Sequence, residues 1–263
     1  KEVVYPKGQE AQFQEWFGNK FYIYPIEEWF FDREAAQDKL KKHFHVNSLK
    51  GFGIENMNCG ICAAGGALNY LEITKHDMIS HITSISRIDE SNYVLLDKFT
   101  LRNLELLSSP YEEGKSLADI IDYTTTPMGS RTLRRWICMP LKTPEKIKER
   151  LDIVETFTQH EPERLEVELL LKSIGDLERL ASKIAVGRIT PREMIQLKVA
   201  LSCISPLKEQ CKKTNSDVLQ RQTEKLDACQ DLFDKIDKQI NPNAPNQLNK
   251  GKVIAAGVNA ELD

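Results

Sequence analysis

The stretch Tyr123-Thr124-Thr125-Thr126-Pro127-Met128-Gly129-Ser130-Arg131-Thr132-Leu133-Arg134-Arg135-Trp136 decides how the chain is read. Thr126 can cap a helix, and Pro127 suits the first turn that follows. Leu133, Trp136 and Ile137 then share one helical face, expected to be packed with Trp136 buried, with Met128 and Met139 near its ends. Arg131, Arg134 and Arg135 fall largely on the other face. Pro140 stops the helix. The composition changes here: strands, glycines and aromatics mix before this stretch, and the pattern after it is almost entirely helical.

Upstream, residues 1–90 read as α/β. Glu2–Tyr5 and Lys20–Tyr24 are short extended pieces, and Gln9–Phe17 is a helix with Phe13, Trp16 and Phe17 on one side. Asp32 or Arg33 to Phe44 is an amphipathic helix, and Ser48–Ile54 a glycine-punctuated loop. Cys59–Thr74 reads as a helix whose Ala63, Ala64, Gly65, Gly66 and Ala67 let a neighbour approach closely. Alternation over His81–Ile88 predicts a strand, and Tyr93–Leu96 another.

Downstream, residues 91–263 read as helix after helix. Leu101–Leu107 and Ser116–Tyr123 come first. Thr143-Pro144-Glu145 opens a helix with Ile147, Leu151, Val154 and Phe157 on one face. Pro162–Ile174 and Asp176–Val186 follow, separated by Gly175 and stopped by Gly187. Thr190-Pro191-Arg192-Glu193 is a capping box that starts a helix running to about Lys212. Asp217–Ile240 is a second long helix. Each of these two is expected to be about 35 Å long, the dimension of a lever rather than a pocket wall. Asn241–Leu248 is a loop, Lys252–Ala256 is strand-like, and Ala260–Asp263 closes the chain uncapped.

The 263 residues suffice for two domains. A net charge of −3 argues against a chain that is basic throughout and built for nucleic acid, though not against a local basic face. No apolar run has the length of a membrane span, and no signal peptide is recognisable. The first residue is not Met, so the chain is expected to begin inside a longer protein. The six cysteines are residues 59, 62, 138, 203, 211 and 229. Four are scattered among helical patterns, which suggests a reducing, cytoplasmic setting.

Few motifs carry chemistry. Glu113-Gly114-Lys115-Ser116 ends like a phosphate loop, but Ser109 stands where the first glycine belongs, and a helical run precedes it instead of a strand. Cys59-Gly60-Ile61-Cys62 has redox spacing but no second pair to complete a zinc site; His43 and His45 would diverge on a helix. Gly51-Phe52-Gly53 begins a dinucleotide-like pattern that Asn56 breaks. Arg131, Arg134, Arg135, Lys142 and Lys146 form a basic cluster. It could touch phosphate backbone, but pairing with Glu105, Glu112, Glu113 or Glu145 is the simpler reading. Neither a catalytic nor a metal nor a nucleotide site is recognisable. Two alternatives stay open: a thiol redox protein using Cys59 and Cys62, and an autonomous DNA-binding module using the Arg131–Arg135 face.

Several stretches together resemble the MutS family of bacterial DNA mismatch-recognition proteins. The opening stretch, with Met139-Pro140-Leu141, resembles the family's T-x-T-x-M-G-x-R-x-L-R-x-W…P-L signature. Leu96–Leu106 resembles its L-D-x-x-T-x-x-N-L-E-L, and Ile174–Leu180 its G-D-L-E-R segment. Gly51-Phe52-Gly53, Ala63-Ala64-Gly65 and His81-Ile82 resemble the late connector domain, and Val253–Asp263 the segment leading into the clamp. The matches are collinear across nearly the whole chain.

The resemblance implies an α/β RNase-H-like connector portion over residues 1–90, followed by an all-α long-helix core, or lever, domain over 91–263. It implies structural or coupling roles for Asp97, Thr100, Asn103, Glu105, Thr126, Met128, Gly129, Arg131, Arg134, Trp136, Pro140, Asp176 and Arg179. It points to mismatched duplex DNA, MutL and a second copy as partners of the parent protein, and to ATP and Mg as its cofactors. None of those cofactors belongs to this piece, for which neither membrane contact nor strong nucleic-acid binding is expected. A MutL surface is sought first at Gln37, Asp38 and Lys41. Phe13-Gln14-Glu15 spells the family's mismatch-reading Phe-x-Glu but lies in the wrong domain. Phe13 is instead expected to pack with Trp16 and Phe17.

Overall fold

The computed structural model describes residues 2–19, 21–74, 79–88, 90–248 and 250–259. The chain forms two units, residues 1–88 and 89–263. In the first, β1 (Glu2–Pro6) leads through α1 (Glu10–Phe17) to β2 (Tyr22–Ile26), which pairs with β1 in parallel, Glu2 opposite Tyr22 and Pro6 opposite Ile26. Parallel partners need a crossover, and α1 supplies it. Phe13 is buried against Tyr5 and Phe17, at ring separations of 5.3 and 4.9 Å; Trp16 meets Phe17 edge-on instead.

Asp32 accepts from the backbone N–H groups of Glu34 and Ala35, and so starts α2 (Arg33–Phe44). A single-turn helix over Leu49–Phe52 stands where a loop was expected, and Gly53 ends it at φ 68°. Then comes α3 (Asn58–Ile73). Its small residues do what the sequence implied. A side chain on Gly65 would overlap Ala36 of α2, and one on Gly66 would overlap the Phe31 ring. Ala36, Leu40, Leu49, Ile54, Ile61 and Leu68 form the core between them.

The strand expected over His81–Ile88 is absent. Ile79, Ile82 and Ile85 pack on that core at a spacing of three, and the Ile82 carbonyl lies 2.8 Å from His43 Nε2. Alternation of Ile and Ser suggested period two, but among the described residues no partner strand holds it. Tyr93–Leu96 is likewise no strand beyond a single bridge, Tyr93 to Leu141.

The second unit is helical: α4 (Lys98–Asn103), α5 (Leu117–Ile121), α6 (Pro127–Cys138), α7 (Pro144–Gln159), α8 (Glu161–Ile174), α9 (Leu177–Ala185), α10 (Pro191–Ser202), α11 (Ile204–Lys213), α12 (Asp217–Glu224) and α13 (Gln230–Gln239). Two small cores hold it. One gathers Ile174, Ala200, Cys203, Ile204 and Leu207; the other gathers Leu180, Leu197, Leu201 and Ile236. The 252–256 segment contributes one bridge, Ile240 to Ile254, and residues 260–263 lie outside the described residues.

The two long helices are each broken. Pro206 has no N–H to offer the Ser202 carbonyl, and the run divides at Cys203 into α10 and α11. In the second, the Asp227 carboxylate accepts from the Cys229 N–H at 2.8 Å and Cys229 turns to φ 47°, separating α12 from α13. Among the described residues no helix exceeds 16 residues, about 24 Å. The domain is helical as expected, but not one of long helices. The apolar face of α7 is open: Ile147, Leu151 and Val154 are 38, 59 and 62% exposed.

The glycines of α3 give a direct check. Gly65→Ala should destabilise by about 1–3 kcal/mol, because α2 must move to admit the methyl group. Gly60→Ala meets only Met57, at 3.6 Å, and should be neutral or stabilising by helix propensity. Urea unfolding midpoints of the two variants test the difference.

Candidate functional site

The residues singled out by the family signature gather in the second unit, where they cap helices and clip them together. Asp97 accepts from the Thr100 N–H at 2.6 Å and so caps α4; this bond holds its carboxyl below the usual range. Asn103 is the last residue of α4. Glu105 sits at φ 48°, and its carbonyl accepts from Leu117 N–H at 2.9 Å, which ties the turn to α5. Ser116 is fully buried and forms a capping box with Asp119. The Gly114-Lys115-Ser116 stretch is thus the entry to α5.

Thr126 is buried and accepts from the Gly129 N–H at 3.0 Å, capping α6 with Pro127 in its first turn. A side chain at Gly129 would come within 3.1 Å of Thr124 Cβ, so the chain folds tightly there. Asp122 accepts from the Thr124 N–H and hydroxyl and from the Ser130 hydroxyl, which depress its carboxyl pKa, Ser130 foremost. Met128 reaches the core around Ile174 and Leu207. At the far end, the Pro140 carbonyl accepts from Val94 N–H at 2.7 Å.

The arginines of α6 carry the charge. Arg131 Nη1 and Nη2 donate to the two Asp176 oxygens at 3.1 and 2.7 Å, and Nε and Nη2 donate to Glu178 Oε2 at 3.1 and 2.6 Å. Arg134 Nη2 donates to Asp119 at 3.0 Å. Asp176 also caps α9 through Arg179 N–H, and Arg131 is the main reason its carboxyl is depressed. The same bonds push the Arg131 guanidinium further toward its charged form. Glu193 closes the Thr190 capping box of α10, takes Lys183, and meets Arg179 at 3.5 Å; Lys183 contributes most to lowering its pKa. A polar seam therefore joins α5, α6, α9 and α10.

Two expectations need correction. Of the cluster, Arg131 and Arg134 pair inside the protein, but with Asp119, Asp176 and Glu178, not with Glu105, Glu112, Glu113 or Glu145. The partners of Arg131 are brought in by α9, which a reading of neighbouring residues cannot see. Trp136 is not buried: it is 44% exposed, and α6 has no buried residue. The Arg150 guanidinium lies 3.5 Å from its ring centroid, and partial burial lowers the pKa of Arg150. Periodicity identified the face but not what covers it. Arg150, Asp122 and Ser130 escaped sequence reading altogether. Ser116-x-x-Asp119 had a capping-box spacing that could have been found.

In the first unit, Asp38 is exposed and Lys41 lies 3.6 Å from it, one turn on; Gln37 is half-buried. Cys59 is exposed, Cys62 is partly buried, and neither is in a disulfide. Among the described residues no group of three or more His, Cys, Asp or Glu could hold a metal ion, and no helix is long and apolar enough to cross a membrane.

Residues 1–83 match the family model for MutS domain II and residues 99–262 that for MutS domain III. The whole chain is 50% identical to the DNA mismatch repair protein MutS of Parabacteroides distasonis. It is 48 and 46% identical to those of Phocaeicola vulgatus and Bacteroides fragilis. In each case the chain covers 30% of the relative's length. These matches give no support to a thiol redox protein or to an autonomous DNA-binding module.

Two measurements check the site. The depressed carboxylates stabilise the fold fully above the ordinary values, 3.8 for Asp and 4.5 for Glu, because the unfolded chain then binds more protons as pH falls. The thermal midpoint should be flat from about pH 6 to 8 and fall below about pH 4.5, with a shallower fall in Arg131→Ala. Trp136→Ala should cost about 1–2 kcal/mol by denaturant unfolding, less than the 3–5 kcal/mol of a buried Trp, because only part of the ring is covered.

Proposed function

The chain belongs to the MutS family, and we propose that it works as the mechanical middle of a DNA mismatch-repair protein. Its first unit serves as the later part of an RNase-H-like connector; the parallel β1–α1–β2 arrangement supports that reading. Its second unit couples an ATPase carried elsewhere in the polypeptide to the parts that grip DNA. The whole protein binds mismatched duplex as a homodimer in the cytoplasm, uses ATP with Mg, and signals to MutL. Gln37, Asp38 and Lys41 are the first place to seek the MutL contact. This piece performs no chemistry of its own.

The observation that carries the proposal is the seam of Arg131, Arg134 and Glu193. Directional, charge-assisted bonds fix neighbouring helices to each other, which suits an element that passes displacement along. Arg131, Arg134 and Glu193 bond to residues of neighbouring helices and, among the described residues, line no cleft.

The 263-residue chain should hydrolyse no ATP and should bind matched and mismatched duplexes alike, as measured by phosphate release and by fluorescence anisotropy. ATP turnover, or tighter binding to a mismatch, would overturn the assignment.

A further inference from the structure

A cleft of about 730 Å³ opens between the start of α9, one face of α10 and the loop at Pro242–Ala244. Such a volume is typical of ligand sites. Its walls are unusual in charge. Arg192 is the second residue of α10 and Arg179 the third of α9, so both cations stand in the first turn of a helix, where the macrodipole disfavours them. Neither is compensated well. Arg179 meets Glu193 only at 3.5 Å, and that carboxylate already serves Lys183 and the Thr190 cap. Arg192 is exposed and, among the described residues, its side chain has no ion pair or hydrogen bond. The acid in the wall, Asp176, is held by Arg131. The helix ends themselves are already capped by Asp176 and Thr190, so the two guanidiniums face a cleft with no acid of its own to spare.

Beside them the wall is apolar. Ile195 and Val199 follow Arg192 at intervals of three and four on the same stripe of α10, and Val199 is 42% exposed. Arg192 breaks the local rule with no partner inside the fold, and Arg179 beside it gains only the 3.5 Å contact with Glu193; a local rule broken without compensation points to binding.

We propose that this cleft docks an acidic amphipathic peptide segment. One of its carboxylates is taken by Arg192 and Arg179, and an apolar side chain about one helical turn away lies on Ile195 and Val199. Guanidinium matches carboxylate through paired hydrogen bonds. Duplex DNA fits less well: affinity for it comes from many spread phosphates, and two cations in a concave, partly apolar cleft offer few such contacts.

The test uses a fluorescein-labelled, end-blocked peptide with Glu and Leu at helical spacing, titrated with the 263-residue chain and read by anisotropy. Saturable binding should weaken about tenfold or more in Arg192→Glu, and equally when the peptide's Glu residues become Gln. A Lys-for-Glu peptide should prefer the Arg192→Glu protein over the unaltered one. That variant should melt no lower than the parent chain, since an acid suits the first turn of a helix, so lost binding cannot be read as lost folding. Absence of binding at millimolar peptide would overturn the proposal, as would binding indifferent to Arg192→Glu. So would inorganic phosphate or a short duplex competing as well as unlabelled peptide.

Discussion

The second unit depends on the grip of Arg131 on Asp176 and Glu178. One planar guanidinium meets two carboxylates with four hydrogen bonds, joining α6 to the start of α9. Asp176 does double duty, because the same carboxylate caps α9 through Arg179 N–H. The orientation of α9 and the position of α6 are thereby fixed by one group. From α9 the connection passes through Lys183 and Arg179 to Glu193, which closes the cap of α10. In the other direction Arg134 reaches Asp119, the residue that completes the cap of α5. An exposed ion pair by itself contributes little. Here Asp176, Asp119 and Glu193 also cap helices, so their pairs and the helix ends stand or fall together.

This arrangement changes the picture of a lever. Two unbroken rods of about 35 Å would carry a displacement by their own stiffness. Pro206 and the Asp227–Cys229 turn remove both rods. What remains is a set of shorter helices docked on two small cores and stitched by the seam. Motion in such an assembly passes between packed elements that shift against each other. A coupling role is compatible with this, but it rests on side-chain junctions more than on helix length.

Local chemistry was legible in the sequence. The Thr126–Pro127 start, the Thr190–Glu193 box, the α2 helix and the close approach at Gly65 all follow from residue types at fixed spacing, and all are present. Non-local facts were not legible. Period-two alternation at 81–88 carries no information about a missing partner strand, and an apolar stripe on α6 or α7 does not say whether anything covers it. The acids that meet Arg131 are separated from it by the whole of α7 and α8. Pro206 was a local signal, and the helix break it causes follows from its missing N–H alone.

Arg131 and Asp176 act as one unit, and a double-mutant cycle shows whether they do. Asp176→Asn keeps a side chain able to cap α9 while removing the charge, and Arg131→Ala removes the other half. Thermal and urea unfolding of both single variants and the double variant give the cycle. Strong non-additivity is expected, with the double variant no less stable than Arg131→Ala alone. Losses that simply add would show that the two residues act independently, and would contradict the seam as the organising feature of the unit.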